Sequence, residues 1–68
     1  MIKEKRITLG LTQEQMADKL NISLRQYVRI DKEEDLPRRD ILNQLINIFE
    51  LTDKEIGEYI RSITQKIA

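Results

Sequence analysis

Leu11-Thr12-Gln13-Glu14-Gln15-Met16-Ala17-Asp18-Lys19-Leu20-Asn21-Ile22-Ser23-Leu24-Arg25-Gln26-Tyr27-Val28-Arg29-Ile30 is the stretch that decides the fold. Thr12 stands three residues before Gln15, and Ser23 three before Gln26. At that spacing a hydroxyl caps a backbone N–H one turn into a helix while the carboxamide reaches back to the cap's own N–H. The stretch therefore predicts two short helices, 13–20 and 24–32, joined at Asn21-Ile22. Asn21 is suited to that joint because Asn visits the left-handed conformation at lower cost than other non-glycine residues. Met16, Ala17 and Leu20 share one face of the first helix, and Tyr27 and Ile30 one face of the second.

The same signals recur on either side. Thr52 with Glu55 makes a third capping box, and Pro37 suits the first turn of another helix. Gly10 can close a helix that begins near Ile2, and Glu33-Glu34-Asp35 followed by Pro37 ends the helix begun at Ser23. Helices are thus expected at about 2–9, 13–20, 24–32, 38–49 and 53–66, in one domain spanning 1–68. The 38–49 helix carries Ile41, Leu42, Leu45, Ile46, Ile48 and Phe49, more than one stripe holds, which predicts a central, largely buried helix. The last shows Ile56, Tyr59, Ile60, Ile63 and Ile67 in steps of three and four. An all-α, compact five-helix bundle is the expected architecture.

Composition narrows function by exclusion. The chain of 68 residues contains no Cys, His or Trp. A disulfide framework, a Cys/His zinc site, a thiol nucleophile and a histidine general base are all excluded. No glycine loop of the phosphate-cradling kind is present, and no acid–base pair stands at a recognisable spacing. An enzyme is not expected, nor is a cofactor or metal. No apolar run approaches the roughly 20 residues of a membrane span. With no signal peptide ahead of the first motif, a cytoplasmic protein without membrane partners is expected. A core this small supplies only about 3–5 kcal/mol by itself, so well-capped helices, close packing or self-association must carry the rest.

What remains is the pair of helices around Asn21, a helix-turn-helix in which Ala17 is small where the helices cross and Ile22 plugs the angle between them. Arg25 and Arg29 are four apart, hence on one face of the second helix. Two exposed arginines on a helix able to enter a major groove provide bidentate donors for guanine O6 and N7.

Here the chain resembles the phage repressor and Cro-type helix-turn-helix regulators, the XRE-like class with a lambda repressor-like domain. The resemblance rests on Arg6-x-x-x-Gly10-Leu11-Thr12-Gln13-x-x-Met16-Ala17-x-x-Leu20, Ile22-Ser23, Tyr27-x-Arg29-Ile30-Asp31 and Pro37. It continues through Leu42, Leu45, Phe49 and Leu51 to Ile56. It implies a DNA-binding transcriptional regulator, with a repressor as the expected kind, of bacterial or phage origin and nucleoid-associated. Leu24, Arg25, Val28 and Arg29 match base-reading positions. Gln13 matches a phosphate-contacting glutamine, while Ser23, Gln26, Arg38 and Arg39 stand where backbone phosphates are within reach. Arg6 and Asp31 are implied to form a partly buried salt bridge tying the first helix to the third. Asn21 departs from the usual turn glycine, and Leu24 is apolar where the family is often polar.

Double-stranded DNA is therefore the expected partner, bound by a homodimer whose two recognition helices enter successive major grooves about 34 Å apart on a pseudo-palindrome. Tyr59, Ile63 and Ile67 are the candidates for the dimer interface. The alternative is a protein-interaction module on the same fold, an antirepressor or antitoxin-like partner, because fold does not fix function. Charge motivates it. Twelve Lys and Arg balance twelve Asp and Glu, whereas a DNA-binding surface is expected to be basic. By segment the balance is uneven: residues 1–30 carry +3, residues 31–35 carry −3, and residues 36–68 carry zero. The acidic loop at 33–35 weakens DNA binding if it faces the duplex.

Overall fold

A computed structural model describes the backbone of residues 1–67 and the side chains of residues 1–66. Five helices follow one another: α1 (Ile2–Thr8), α2 (Gln13–Leu20), α3 (Leu24–Asp31), α4 (Arg39–Phe49) and α5 (Asp53–Ile67). No strand occurs among the described residues. Each capping box read from sequence is formed. Thr12 accepts from Gln15 N–H at 3.1 Å while Gln15 accepts from Thr12 N–H at 2.8 Å. Ser23 with Gln26 and Thr52 with Glu55 repeat the exchange at 2.9–3.1 Å and 3.0–3.2 Å. Pro37 lies before the start of α4 rather than inside it. Arg38 is that helix's N-cap and gives no side-chain cap.

The helix ends share one device. After α1, α2, α3 and α4 a single residue enters the left-handed region: Gly10 (φ 72°), Asn21 (56°), Glu33 (54°) and Glu50 (51°). In every case the next N–H donates back to the carbonyl five residues earlier: Leu11 to Arg6, Ile22 to Ala17, Glu34 to Arg29 and Leu51 to Ile46, at 3.0–3.2 Å. This is the Schellman closure, usually sealed by an apolar residue after the left-handed one. Leu11, Ile22 and Leu51 obey and pack against the core. In the fourth closure that place is taken by Glu34, which is exposed.

The core gathers Ile2 from α1, Met16, Ala17 and Leu20 from α2, and Tyr27 and Ile30 from α3. Ile41, Leu45 and Phe49 from α4, Leu51, and Tyr59 and Ile63 from α5 complete it. Two expectations are corrected by it. The α4 helix is not enclosed all round: Ile41, Leu45 and Phe49 form the one buried stripe, Leu42, Ile46 and Ile48 are half-buried, and Asp40, Asn43 and Asn47 face solvent. Tyr59 and Ile63, expected at a dimer interface, are fully enclosed within the chain's own core. Their steps of three and four put them on the α5 face that closes the bundle. The side chain of Ile67 lies outside the described residues. No helix among the described residues is long and apolar enough to cross a membrane.

Candidate nucleic-acid interface

The α2 and α3 helices pack principally on each other, and α3 also leans on α1. Between them, Asn21 and Ile22 make the tight reversal, with Ile22 half-buried against the core as the sequence requires. The α3 helix is sharply two-sided. Tyr27, Ile30 and Asp31 turn inward, while Leu24, Arg25, Gln26 and Arg29 face solvent and Val28 is half-buried between them. The exposed side of α3 therefore presents two guanidinium groups one turn apart, flanked by Leu24 with 43% of its surface exposed.

Asp31 is the one charged residue buried among the described residues, and it is the hub that fixes this helix. The Arg6 guanidinium grips it bidentately, Nε to Oδ1 at 3.2 Å and Nη2 to Oδ2 at 3.1 Å. Tyr27 donates its hydroxyl to Oδ1 at 2.9 Å, and Gln13 donates its amide to Oδ2 at 3.2 Å. Arg6 also donates Nη1–H to the carbonyl of Leu11 at 2.8 Å. One carboxylate thus collects donors from α1, from the first residue of α2 and from α3 itself. Burial alone would raise the Asp31 pKa, but hydrogen bonds from Arg6, Gln13 and Tyr27 outweigh it and hold the carboxyl below its ordinary value. Burial, reinforced by the bond to Asp31, pushes the Tyr27 phenol up.

The residues nominated from sequence are thereby sorted. Arg6 and Asp31 form the bridge that the resemblance implies. Gln13, nominated for phosphate, spends one amide proton on Asp31 and is half-buried. Gln26, nominated likewise, uses its carbonyl oxygen on the Ser23 N–H at 2.9 Å, and Ser23 Oγ accepts from Gln26 N–H. Gln26, Arg29 and Arg38 meet around one groove with an apolar lining of Ile22, Leu36 and Pro37. Arg38 and Arg39 are exposed at the start of α4; Arg38 approaches Asp40 at 3.7 Å with both side chains well solvated, a contact of small energetic weight.

The acidic loop does not project as a separate charged lobe. Glu33 turns inward to the Met1 amino group at 3.0 Å. Glu34 and Asp35 turn the other way, onto Arg29. Glu34 Oε2 lies 3.5 Å from Arg29 Nε, and Asp35 Oδ2 accepts from Arg29 Nη2. This pairing was not anticipated from sequence. Its signal was the offset of five and six residues, which a continuing helix would separate and a left-handed turn at Glu33 brings together.

Comparison with curated proteins and with solved structures gives no match. A helix-turn-helix family model matches residues 2–56, well over half of the chain, and takes in α2, α3 and the Asp31 hub. The chain belongs to this XRE-like helix-turn-helix family of DNA-binding regulators.

Proposed function

We propose that the protein is a sequence-specific transcriptional regulator, a repressor, that reads a pseudo-palindromic operator as a dimer with α3 as its recognition helix. The observation that carries this is the exposed α3 face. Arg25 and Arg29 stand one turn apart on a helix anchored from behind by the Asp31 hub, so two planar donor forks are presented on a rigid support. Leu24 and Val28 are the apolar members of that face, suited to contact with thymine methyls. Ser23, Gln13, Gln26, Arg38 and Arg39 are the candidates for phosphate, a set that positions the helix without reading sequence. The dimer surface of this proposal excludes Tyr59 and Ile63.

Selection from a randomised duplex pool, followed by gel shift across salt, tests the reading. A defined sequence should emerge, its affinity falling steeply with salt as counterions are released. Arg25→Ala and Arg29→Ala should each cost about 1–3 kcal/mol on that sequence and relax preference at one base pair. Unchanged affinity for every duplex in both variants refutes direct readout.

One observation favours a second reading, a protein-interaction module of the antirepressor or antitoxin-like kind: half of the arginine pair is already neutralised by Glu34 and Asp35. That reading requires no DNA binding even at low salt, together with a protein that co-purifies.

A further inference from the structure

Arg25 and Arg29 sit on the same solvent face of the same helix, yet only one has an internal counter-anion. Arg25 makes no ion pair among the described residues, whereas Arg29 makes two. The difference is built by the backbone. The left-handed turn at Glu33 lets Glu34 N–H close onto the carbonyl of Arg29 itself, 3.2 Å away. The chain after α3 is thus folded back over the residue whose side chain it then contacts. Where the other three closures seat an apolar residue against the core, this one places Glu34, with Asp35 next, beside Arg29, whose side chain is 58% exposed.

The atoms engaged matter. Glu34 and Asp35 take the edge of the guanidinium formed by Nε and Nη2, and Nη1 has no protein partner among the described residues. A guanidinium has five N–H donors in a fixed fork. Occupying the side edge with carboxylates leaves the end edge, Nη1 with the second hydrogen of Nη2, free for a bidentate acceptor such as guanine O6 and N7. It also surrounds Arg29 with two negative charges. A phosphate diester can also meet that end edge, but unlike a neutral base it carries a full negative charge and is repelled by the two carboxylates.

We infer that Glu34 and Asp35 are positioning residues that set specificity: they fix Arg29 by its side edge, withhold it from phosphates of non-cognate duplex, and present its end edge to a base. This inference rests on the α3 reading proposed above. It makes Arg25 the arginine that contributes to general DNA affinity and Arg29 the one that discriminates. Because Arg29 has its counter-anions before DNA arrives, its encounter with non-cognate duplex releases few cations, and the salt slope there is lower by about 0.9 than the count of basic residues on the face suggests.

The test compares wild type with Glu34→Gln/Asp35→Asn on two duplexes: the sequence selected by the wild type from a random pool, and a scrambled duplex of the same composition. The double variant is expected to bind the scrambled duplex about fivefold to tenfold more tightly. Its log–log salt slope there should steepen by about 0.9, and it should gain nothing or lose affinity on the selected site. The specificity ratio therefore falls about tenfold, and preference at one guanine flattens. Asp35→Glu, which keeps the charge, restores the ratio in part. Asp53→Asn/Glu58→Gln, the same change of two charges at exposed positions of α5, leaves it intact. Equal tightening on both duplexes overturns the inference, since the carboxylates then act as bulk charge or as a lock. An unchanged ratio overturns it as well. A wild type that selects no sequence refutes the α3 reading itself, whereas a wild type that selects one while the double variant keeps the ratio refutes only the positioning role.

Discussion

Deleting the Asp31 carboxylate is the severest single change that the structure allows at a polar position. In Asp31→Ala, Arg6 loses both bonds of its bidentate pair. Its side chain is only 11% exposed, so water replaces the carboxylate poorly. Removing one member of a buried pair costs about 3–5 kcal/mol, most of it the stranded charge. Tyr27 adds to the loss, because its buried hydroxyl has no other acceptor among the described residues, while Gln13 is half-buried and can turn to solvent. A chain of this length has about 3–10 kcal/mol of stability in all. Asp31→Ala should therefore leave the protein marginal or unfolded at 25 °C. Tyr27→Phe removes one donor and leaves Asp31 with Arg6 and Gln13, so it should cost about 1.5–3 kcal/mol, the range for hydrogen bonds to charged groups. The decisive variant is the pair Arg6→Met/Asp31→Leu, which strands no charge but takes the partner from the Tyr27 hydroxyl and from the Leu11 carbonyl, a loss of about 1–3 kcal/mol for each group that water does not reach. Urea unfolding followed by circular dichroism at 222 nm supplies the free energies, and the single variants Arg6→Met and Asp31→Leu complete the cycle. The double variant should be more stable than either single one. If the two single losses simply add in the double variant, the two residues are not coupled and the hub described here is wrong.

Acid unfolding should follow the same carboxylate. Its pKa is depressed in the fold, so its contribution is complete above the ordinary value of 3.8 and is lost as pH falls through the lower folded value. Asp31→Asn should remove stability at neutral pH and flatten its dependence between about pH 5 and pH 2, as read by urea midpoints across pH. At the alkaline end the sign reverses: burial raises both tyrosines above their ordinary value of 10.0, so the stability they contribute is present below it and lost as pH rises beyond it. With no Trp and only two Tyr in the chain, absorbance at 295 nm should show tyrosinate appearing together with loss of helix; a phenol titrating near pH 10 in the folded protein contradicts their burial. Glu50→Gly should stabilise by about 0.5–1 kcal/mol, because Glu50 holds φ at 51° and glycine relieves that strain at some cost in unfolded-chain entropy. Thr52→Ala should cost about 1 kcal/mol through loss of the α5 cap, and Thr52→Ser little, both read from thermal or urea melts.

The helix starts and much of the core were legible because their signals are local. A Ser or Thr three residues before Gln or Glu satisfies backbone donors within a single turn, so Thr12, Ser23 and Thr52 announce α2, α3 and α5 without reference to the rest of the chain. The ends were legible only in part. Gly10 and Asn21 declare a left-handed residue by their chemistry, but Glu33 and Glu50 adopt the same conformation against their own preference. Their signal is not in the residue. It is in the closure each completes: Leu51 reaches the core only through the turn at Glu50, so burial overrides a local cost of about 1–2 kcal/mol. Tyr59 and Ile63 misled for a related reason. An apolar stripe states that a helix face is buried, not whether the chain itself or a second copy buries it.

The same non-locality governs the charge. Summing residues 31–35 as an acidic loop treats four carboxylates as one field, but the fold sends them to three destinations. Asp31 is consumed inside by Arg6, Glu33 meets the amino group of Met1, and Glu34 and Asp35 neutralise Arg29. Glu34 and Asp35 still outnumber Arg29 by one charge, and of the basic residues in 1–30 Lys3, Lys19 and Arg25 make no ion pair among the described residues. Arg25 stands apart from this mutual cancellation, with no acidic partner on the solvent face of α3. A neutral chain can bind a polyanion on such terms when its cations are distributed unequally between those that attract and those already spoken for. Arg25→Gln should then reduce affinity for scrambled duplex several-fold and lower its salt slope by about 0.9, while Arg29→Gln should leave the slope nearly unchanged and weaken affinity only through the two carboxylates it strands. If the two substitutions lower the salt slope on scrambled duplex equally, the internal pairing of Arg29 has no consequence for DNA and the division of labour between the two arginines is wrong.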